Sequence, residues 1–585
     1  MPVITRIVQS QLSNLRQKTR ALINWRYARF TGNNHPPKAF ATHPEPRSIG
    51  SFARGQQLLA GNYLLAGELV EAGNLSLWAI DPPSPTFQRE QHGFAWLDDL
   101  VAVGDGKARK QAQQWVFEWI KIFGKGKAAG WQPGLTGRRM IYLTSNAVFL
   151  LNGLDAKNSR KILKSMGKQV DYLSKRWHSA SNGLHRFEAL TGLIYAGLSL
   201  QGRDHVLQPA IKALGQQCAK HIGKDGGIDS RNPEELMGIF TLLTWANKTL
   251  FENGHTADER ILAAMQRIAP TLRGLRLGDG TLVRFHGGGR GLDGLLDQAL
   301  ADAQIKDRST EKLMMGFQRM SAGRLALVAD CASPQANGAV AHASTLAFEL
   351  SSGRRPMIVN CGSGERFGDG WPRACRKTAA HNTLQIEGVS SARFTKNQNE
   401  TDNRLFDGPD MVTCNRASDL TGVWMVATHN GYAKKYGLIH ERRLFISVDG
   451  RELSGEDKLR AADKKQQARF VKSVIDAPSQ GLNFMVHFHI HPDIDASLDM
   501  DGHAVSLTLP SGEIWVFRQN GGLLDLQDSV FLDHRHLRPR ATKQIVISAR
   551  AVDYKGQITW NFLRAADGGR NTRDLVAENP ANQPS

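Results

Sequence analysis

Two imidazoles and an amide recur within one stretch of the C-terminal half. They are His342 in Ala341-His342-Ala343-Ser344, Asn360 in Ile358-Val359-Asn360-Cys361-Gly362, and His381 in Thr378-Ala379-Ala380-His381-Asn382-Thr383. Zinc takes neutral imidazole nitrogens and oxygen donors, so these side chains could converge on one metal ion from strand ends. Their spacing is not a compact metal signature, and hydrogen-bonded polar residues at strand ends give the same pattern.

A second chemistry lies in Asp225-Gly226-Gly227-Ile228-Asp229-Ser230-Arg231-Asn232-Pro233-Glu234-Glu235-Leu236. The Arg231 guanidinium can pair bidentately with a carboxylate or sulfate. Glu235 can take a proton, weakly at its ordinary pKa of about 4.3 and better if burial raises it. Glu234 and Glu235 also suit the first turn of a helix, where the dipole favours negative charge. Farther on, His487, His489 and His491 alternate with Phe484, Val486, Phe488 and Ile490, which puts three imidazoles on one strand face. A metal- or anion-binding face and a solvated or groove-lining face both fit.

The elements that must position these residues come in two textures. Trp115, Val116, Trp119 and Ile120 in Ala112–Ile122 follow helical spacing, as do Leu207, Ile211, Leu214, Cys218 and Ile222. Leu190 to Leu200 is a richer apolar segment ending at Gly202. Such helices, joined by short turns, suggest paired helices curling into a toroid or a solenoid. Near residues 285–310 the texture changes, with His286-Gly-Gly-Gly-Arg290-Gly as a loop. Beyond it come Leu346-Ala-Phe348-Glu-Leu350, Thr383-Leu-Gln-Ile-Glu387, and a hairpin from Val505–Leu509 through Pro510-Ser-Gly-Glu513 to Ile514–Phe517. Strands without intervening helices indicate an antiparallel β-sandwich. The expected fold is α+β in two domains: a helical (α/α) toroid over 1–305, a sandwich over 306–565, and a disordered tail over 566–585.

A chain of 585 residues calls for two large domains, since single cores stop growing near 250–300 residues. Lys+Arg 74 against Asp+Glu 55 leaves +19, which favours a polyanionic partner. With no zinc finger, RNP motif or P-loop, nucleic acid is not the expected one. Cys218, Cys331, Cys361, Cys375 and Cys414 are odd in number and far apart, which reads as thiols in a reducing compartment rather than a disulfide scaffold. The N-terminus lacks the apolar run and cleavage site of a signal peptide, and no stretch suits a transmembrane helix. The chain therefore reads as cytoplasmic, with a periplasmic or envelope-associated place as the alternative. Arg16, Lys18 and Arg20 belong to a first helix that is either solvated or laid on a membrane surface.

Residues Ala341 to Arg393 resemble the C-terminal domain of the heparinase II/III-like polysaccharide lyases, whose pattern runs His-x-His-x-Asp, a Ser-Phe-Glu-Leu-like strand, Val-Asp-x-Gly, then Ala-His-Asn-Thr. Weaker likeness covers most of the chain: Gly93-Phe-Ala-Trp-Leu-Asp-Asp-Leu, Thr136-Gly-Arg-Arg139, Asp225 to Pro233, and Gly455-Glu-Asp457. The resemblance implies β-elimination on an acidic, uronate-containing and possibly sulfated polysaccharide, or a homologue that binds such a glycan without cleaving it. It implies zinc ligands at His342, Asn360 and His381. Asn360 stands in place of an aspartate and weakens that site, and Val340 stands in place of the first histidine.

By the same resemblance, Asn182 and His185 in Ser181-Asn-Gly-Leu-His-Arg-Phe-Glu188 neutralise the uronate carboxylate, which stabilises the charge left when the C5 proton departs. Asn182 fits an N-cap equally. Glu235 stands where the family has a catalytic tyrosine, and Tyr432 or Tyr436, which precede a strand, could supply the phenol. Arg231, Arg139 and Arg376 are the expected substrate-binding arginines, with Tyr436 beside them.

Overall fold

A computed structural model of the chain describes residues 19–31, 35–126, 129–307, 312–336, 338–368, 370–395, 404–475 and 481–566. The chain forms two compact units. The first comprises Met1–Gly223, Glu235–Ala269 and Gly294–Lys306, the second Lys224–Glu234, Pro270–Asp293 and Asp307–Ser585. The expected division at residue 306 is therefore interleaved, because two earlier segments belong with the strands. Hydrogen bonds tie them there: the Asp225 carboxylate accepts the Met315 N–H at 2.9 Å, Arg231 donates to Met315 and Gly316 carbonyls at 3.0 Å, and the Glu349 carboxylate accepts the Arg284 N–H at 3.0 Å. Of the expected tail, Ala566 ends the last strand, and the rest lies outside the described residues, as do Arg16 and Lys18.

The first unit is helical. Helix Gly106–Phe123 buries Ala108, Ala112, Trp115, Val116 and Trp119 on one stripe. The Asp105 carboxylate accepts the Ala108 N–H at 2.7 Å and caps it. Helix Leu184–Ser199 is buried at every position from Phe187 onward, so it is a central helix rather than a surface one. It packs on helix Pro133–Ser145 with the backbones touching. A Cβ on Gly137 would overlap the Glu188 carbonyl, and a Cβ on Gly192 would overlap the Gly137 backbone. Two glycines thus let the helices approach more closely than side chains allow. No helix is long and apolar enough to cross a membrane among the described residues.

The second unit is built on antiparallel sheets. The largest runs Val412–Ser418, Gly422–His429, Ile439–Ser447, Glu452–Arg460, Lys555–Ala566, Ile514–Asn520, Ala504–Thr508, Asp495–Asp499. Two four-stranded sheets accompany it. One orders Leu523–Phe531, Arg540–Ala551, Leu482–His489, Leu384–Ile386, the other Phe317–Ala322, Leu325–Asp330, Phe348–Ser352, Arg355–Ile358. The expected hairpin is present, with Val505 opposite Phe517. One apolar core draws Leu327, Phe348, Leu384, Phe488, Trp515 and Phe562 from all three sheets. The strand Phe348–Ser352 is buried on both faces, where alternation predicted one. The face carrying His487, His489 and His491 is likewise covered, each residue being buried.

Candidate functional site

In the helical unit, the crossing of Pro133–Ser145 with Leu184–Ser199 sets up a charged cluster with helix Pro85–Gly93. Arg138 grips both oxygens of Glu90 at 2.8 and 3.1 Å. His185 Nδ1 stands 2.8 Å from Glu188 Oε2, and Arg89 Nη2 lies 2.7 Å from His185 Nε2. A carboxylate only accepts and a guanidinium only donates, so Nδ1 carries the proton and Nε2 accepts. Burial works to raise the Glu188 carboxyl. The His185 hydrogen bond and the charges of Arg138 and Arg89 outweigh it and hold the group below its usual range. Gly134 leaves room for this arrangement, since a Cβ there would meet His185 and Glu188. The His185 side chain is 29% exposed, so the cluster reaches solvent.

Other expected residues of this unit take different places. Asn182 is exposed, and the helix begins at Leu184 with Gly183 as its cap residue. Asn182 is thus not the N-cap. Glu235 supplies the capping oxygen instead, accepting the Leu184 N–H at 3.2 Å. Its carboxylate fills the space that a Cβ on Gly183 would occupy. Arg139 is fully buried, donating to Gln169 Oε1 at 2.7 Å and the His92 carbonyl at 2.9 Å. It lies 4.1 Å over the Trp119 ring. Burial lowers it to about 9. This arginine holds helices together and corrects the expectation of a substrate contact.

In the sheet unit a second polar group is sealed from solvent. Arg231 donates to the carbonyls of Met315, Gly316, Ala332 and Ser333 at 3.0 to 3.2 Å, and to the Asp330 carboxylate. Every arm of its fork is spent inside the protein, which corrects its expected role as a substrate contact. Asp330 also accepts from Ser344 at 2.6 Å and stands 3.4 Å from His286 Nε2. Burial alone would raise Asp330, but the Arg231 charge and the His286 and Ser344 contacts pull it well below the carboxylate range. Arg376 is buried too, donating to the Ala341 and Gly338 carbonyls at 2.9 and 3.1 Å, and burial lowers it to about 10. Tyr432 is buried in the core, its hydroxyl donating to the Leu384 carbonyl at 2.7 Å. Burial raises it far above an ordinary phenol, so it is no base. Tyr436 is buried in the same core. Both corrections have one cause: the tyrosines pack inward beneath the strand they precede.

The zinc expectation can be tested on the donor atoms. His381 Nδ1 donates to the Lys377 carbonyl at 2.8 Å, so its Nε2 accepts from His342 Nδ1 at 2.9 Å. The facing nitrogens of the two rings are thereby used on each other. Asn360 Oδ1 accepts from the Asn382 backbone N–H at 3.2 Å and its amide at 3.3 Å, while its own amide donates to the Arg284 carbonyl at 3.1 Å. Among the described residues, no three His, Cys, Asp or Glu side chains are grouped so as to hold a metal ion. In this arrangement the facing nitrogens of His342 and His381 and the Asn360 amide oxygen are engaged with protein groups. Val340, at the place of the family's first histidine, packs against Gly287.

Arg89, Glu90 and Arg138 were not singled out from the sequence as site residues, nor was His286. Arg138 and Glu188 lie inside motifs that point to the family, and that was the available signal. The sequence around His286 marks only the start of a glycine loop.

The profile of the heparinase II/III-like C-terminal domain matches residues 307–561. FtsZ-localized protein C of Caulobacter vibrioides (strain NA1000 / CB15N) is 30% identical over 542 residues, which is 90% of this chain and 91% of that protein. The crystal structure of heparinase III superposes with a TM-score of 0.68 at 12% identity, over 94% of this chain and 90% of that one. Heparan sulfate lyase HepC from Pedobacter heparinus gives 0.55 at 14% identity, over 97% and 91%. At such identities the likeness is one of fold, a helical N-terminal part followed by antiparallel sheets. By its relative and its profile match, the chain belongs to the heparinase II/III-like family of polysaccharide lyases.

Proposed function

We propose that this chain holds an acidic polysaccharide without cleaving it, and that it does so in company with FtsZ. One observation carries the first half: Glu235, Tyr432 and Tyr436, the side chains expected to move the proton, are each committed inside the protein. Glu235 caps a helix and Tyr432 donates to a carbonyl in the core. β-Elimination needs a base within about 3 Å of the C5 proton. The cluster that reaches solvent, Arg89 with His185, suits a carboxylate as a ligand. The second half is carried by the name of the relative that is 30% identical. In this reading the helical unit is the (α/α) toroid and the sheets are the β-sandwich of the lyases, and the chain is cytoplasmic.

A second reading, retained elimination, is favoured by His185, whose Nε2 lone pair faces Arg89 in a partly exposed position. An ultraviolet assay for unsaturated uronate separates the two. The purified chain is incubated with heparan sulfate, chondroitin sulfate, hyaluronan, alginate and polygalacturonate, each with and without added zinc. The expected trace is flat on every polymer, while affinity electrophoresis shows retardation by at least one. A rise in absorbance that His185→Ala abolishes would establish the second reading. Co-sedimentation with FtsZ polymers assembled with GTP tests the remaining half, and a chain left in the supernatant overturns it.

A further inference from the structure

We propose that the outward face of the eight-stranded sheet carries a separate binding groove for an acidic oligosaccharide. Five neighbouring strands, Gly422–His429, Ile439–Ser447, Glu452–Arg460, Lys555–Ala566 and Ile514–Asn520, bring Trp424, Phe445, Ser454, Asn561 and Arg518 into one cross-strand row. Four strand spacings make that row about 19 Å long. A groove of about 550 Å³ follows it, within the roughly 300–1,000 Å³ of small-ligand sites.

The row changes character from end to end. At one end Trp424, 43% exposed, lies against Phe445 with ring centroids 4.2 Å apart, a firm apolar platform of the kind that takes the C–H face of a pyranose. In the middle, Asn561 Oδ1 is buried and has no hydrogen-bond partner. A buried acceptor left so is costly, and a ligand hydroxyl would satisfy it. At the far end Arg518 is exposed, meets the Met500 sulfur at 3.4 Å, and pairs with no carboxylate among the described residues. Beside the row, Arg443 is already held by Glu441 at 2.8 Å and by Glu456 at 3.5 Å. The free positive charge is therefore at Arg518.

An apolar ring face, a hydroxyl donor and a carboxylate, spread over such a length, describe several linked sugars including a uronate. A nucleic-acid strand would need more free cations along its path. An extended peptide gains its affinity from a sheet edge, and this is a sheet face. The groove stands whichever way the question of elimination is decided.

The test is calorimetric titration of the full chain with trigalacturonate, with maltotriose as the neutral counterpart and a glutamate-rich peptide as the other acidic polymer. Saturable binding of trigalacturonate is expected, about tenfold weaker in Trp424→Ala and in Arg518→Ala, with thermal unfolding unchanged in Arg518→Ala, whose side chain is exposed. Arg89→Ala, in the helical unit, is expected to leave this binding event in place. Trigalacturonate binding that disappears in Arg89→Ala but survives Trp424→Ala belongs to the helical cluster and overturns the groove. No binding of trigalacturonate, equal binding of maltotriose, or binding of the peptide alone would also overturn it.

Discussion

The Glu235 carboxylate occupies the space that a side chain on Gly183 would need, and from there it accepts the first free N–H of the helix, that of Leu184, at 3.2 Å. Gly183 has φ +83° and ψ −149°, a conformation almost confined to glycine. Gly183→Ala should therefore lower stability by about 1–3 kcal/mol from backbone strain, with a further loss from the collision. Chemical denaturation of Gly183→Ala, Glu235→Ala and the double variant checks this. Removing the carboxylate should recover the collision part alone, so the double variant should lose less than the sum. Additive losses would show that the two residues do not meet.

Arg231 and Asp330 form a buried pair whose remaining hydrogen-bonding groups are also occupied. Arg231→Met leaves the Asp330 charge buried without its partner and should cost about 3–5 kcal/mol, read as lost soluble yield and a lower Tm. The acid limb follows from the depressed Asp330 carboxyl. Its stabilisation is fully present above the unfolded carboxylate pKa of about 3.9 and is lost as pH falls through the lower folded value. Asp330→Asn should flatten the unfolding curve in that acid range and lower stability at neutral pH.

Asp98 runs the other way. Burial, the largest effect, and the nearby Asp99 charge raise it to about 6, against hydrogen bonds from Ser48 and Asn146. Between about pH 4 and pH 6 the folded chain binds this proton more readily than the unfolded chain, so stability falls as pH rises through that window. Asn can keep the Asn146 contact, now at 2.7 Å, and turn its amide to Ser48. Asp98→Asn should therefore stabilise the protein at pH 7 by on the order of 2 kcal/mol and have little effect at pH 4. Thermal melts at the two pH values check this.

The helix crossing supplies the last prediction. Gly137→Ala should force the helices Pro133–Ser145 and Leu184–Ser199 apart, because the atom it meets is backbone. A loss of about 1–3 kcal/mol is expected, together with weaker glycan retardation, since His185 and Arg138 ride on those helices. A variant that loses stability and keeps full retardation would show that the crossing does not position the cluster.

Element type was legible in the sequence where one physical period dominates. The Trp115, Val116 and Trp119 stripe and the Val505–Phe517 hairpin follow from apolar spacing and turn residues. The destinations of polar side chains were not. A motif shows that Arg231, Arg139 or Arg376 has donors to give, but whether they go to solvent or to carbonyls depends on segments far away in sequence. Arg231 reaches Ser333, and Arg376 reaches Gly338. Tyr432 precedes a strand, and the acceptor that takes up its hydroxyl, the Leu384 carbonyl, lies 48 positions earlier.

The interleaving of the two units bears on how the chain is made and cut. Arg231 leaves the ribosome well before Met315 to Ser333, so its charge must wait, solvated, until those acceptors are synthesised. A truncation at residue 306, the natural place to separate helices from strands by eye, would deprive Arg231 of that cage for good. It would also remove Lys224–Glu234 and Pro270–Asp293 from the strands they belong with. Fragments of this protein cut there would be misfolded halves, and an activity missing from either would say nothing about which unit performs it.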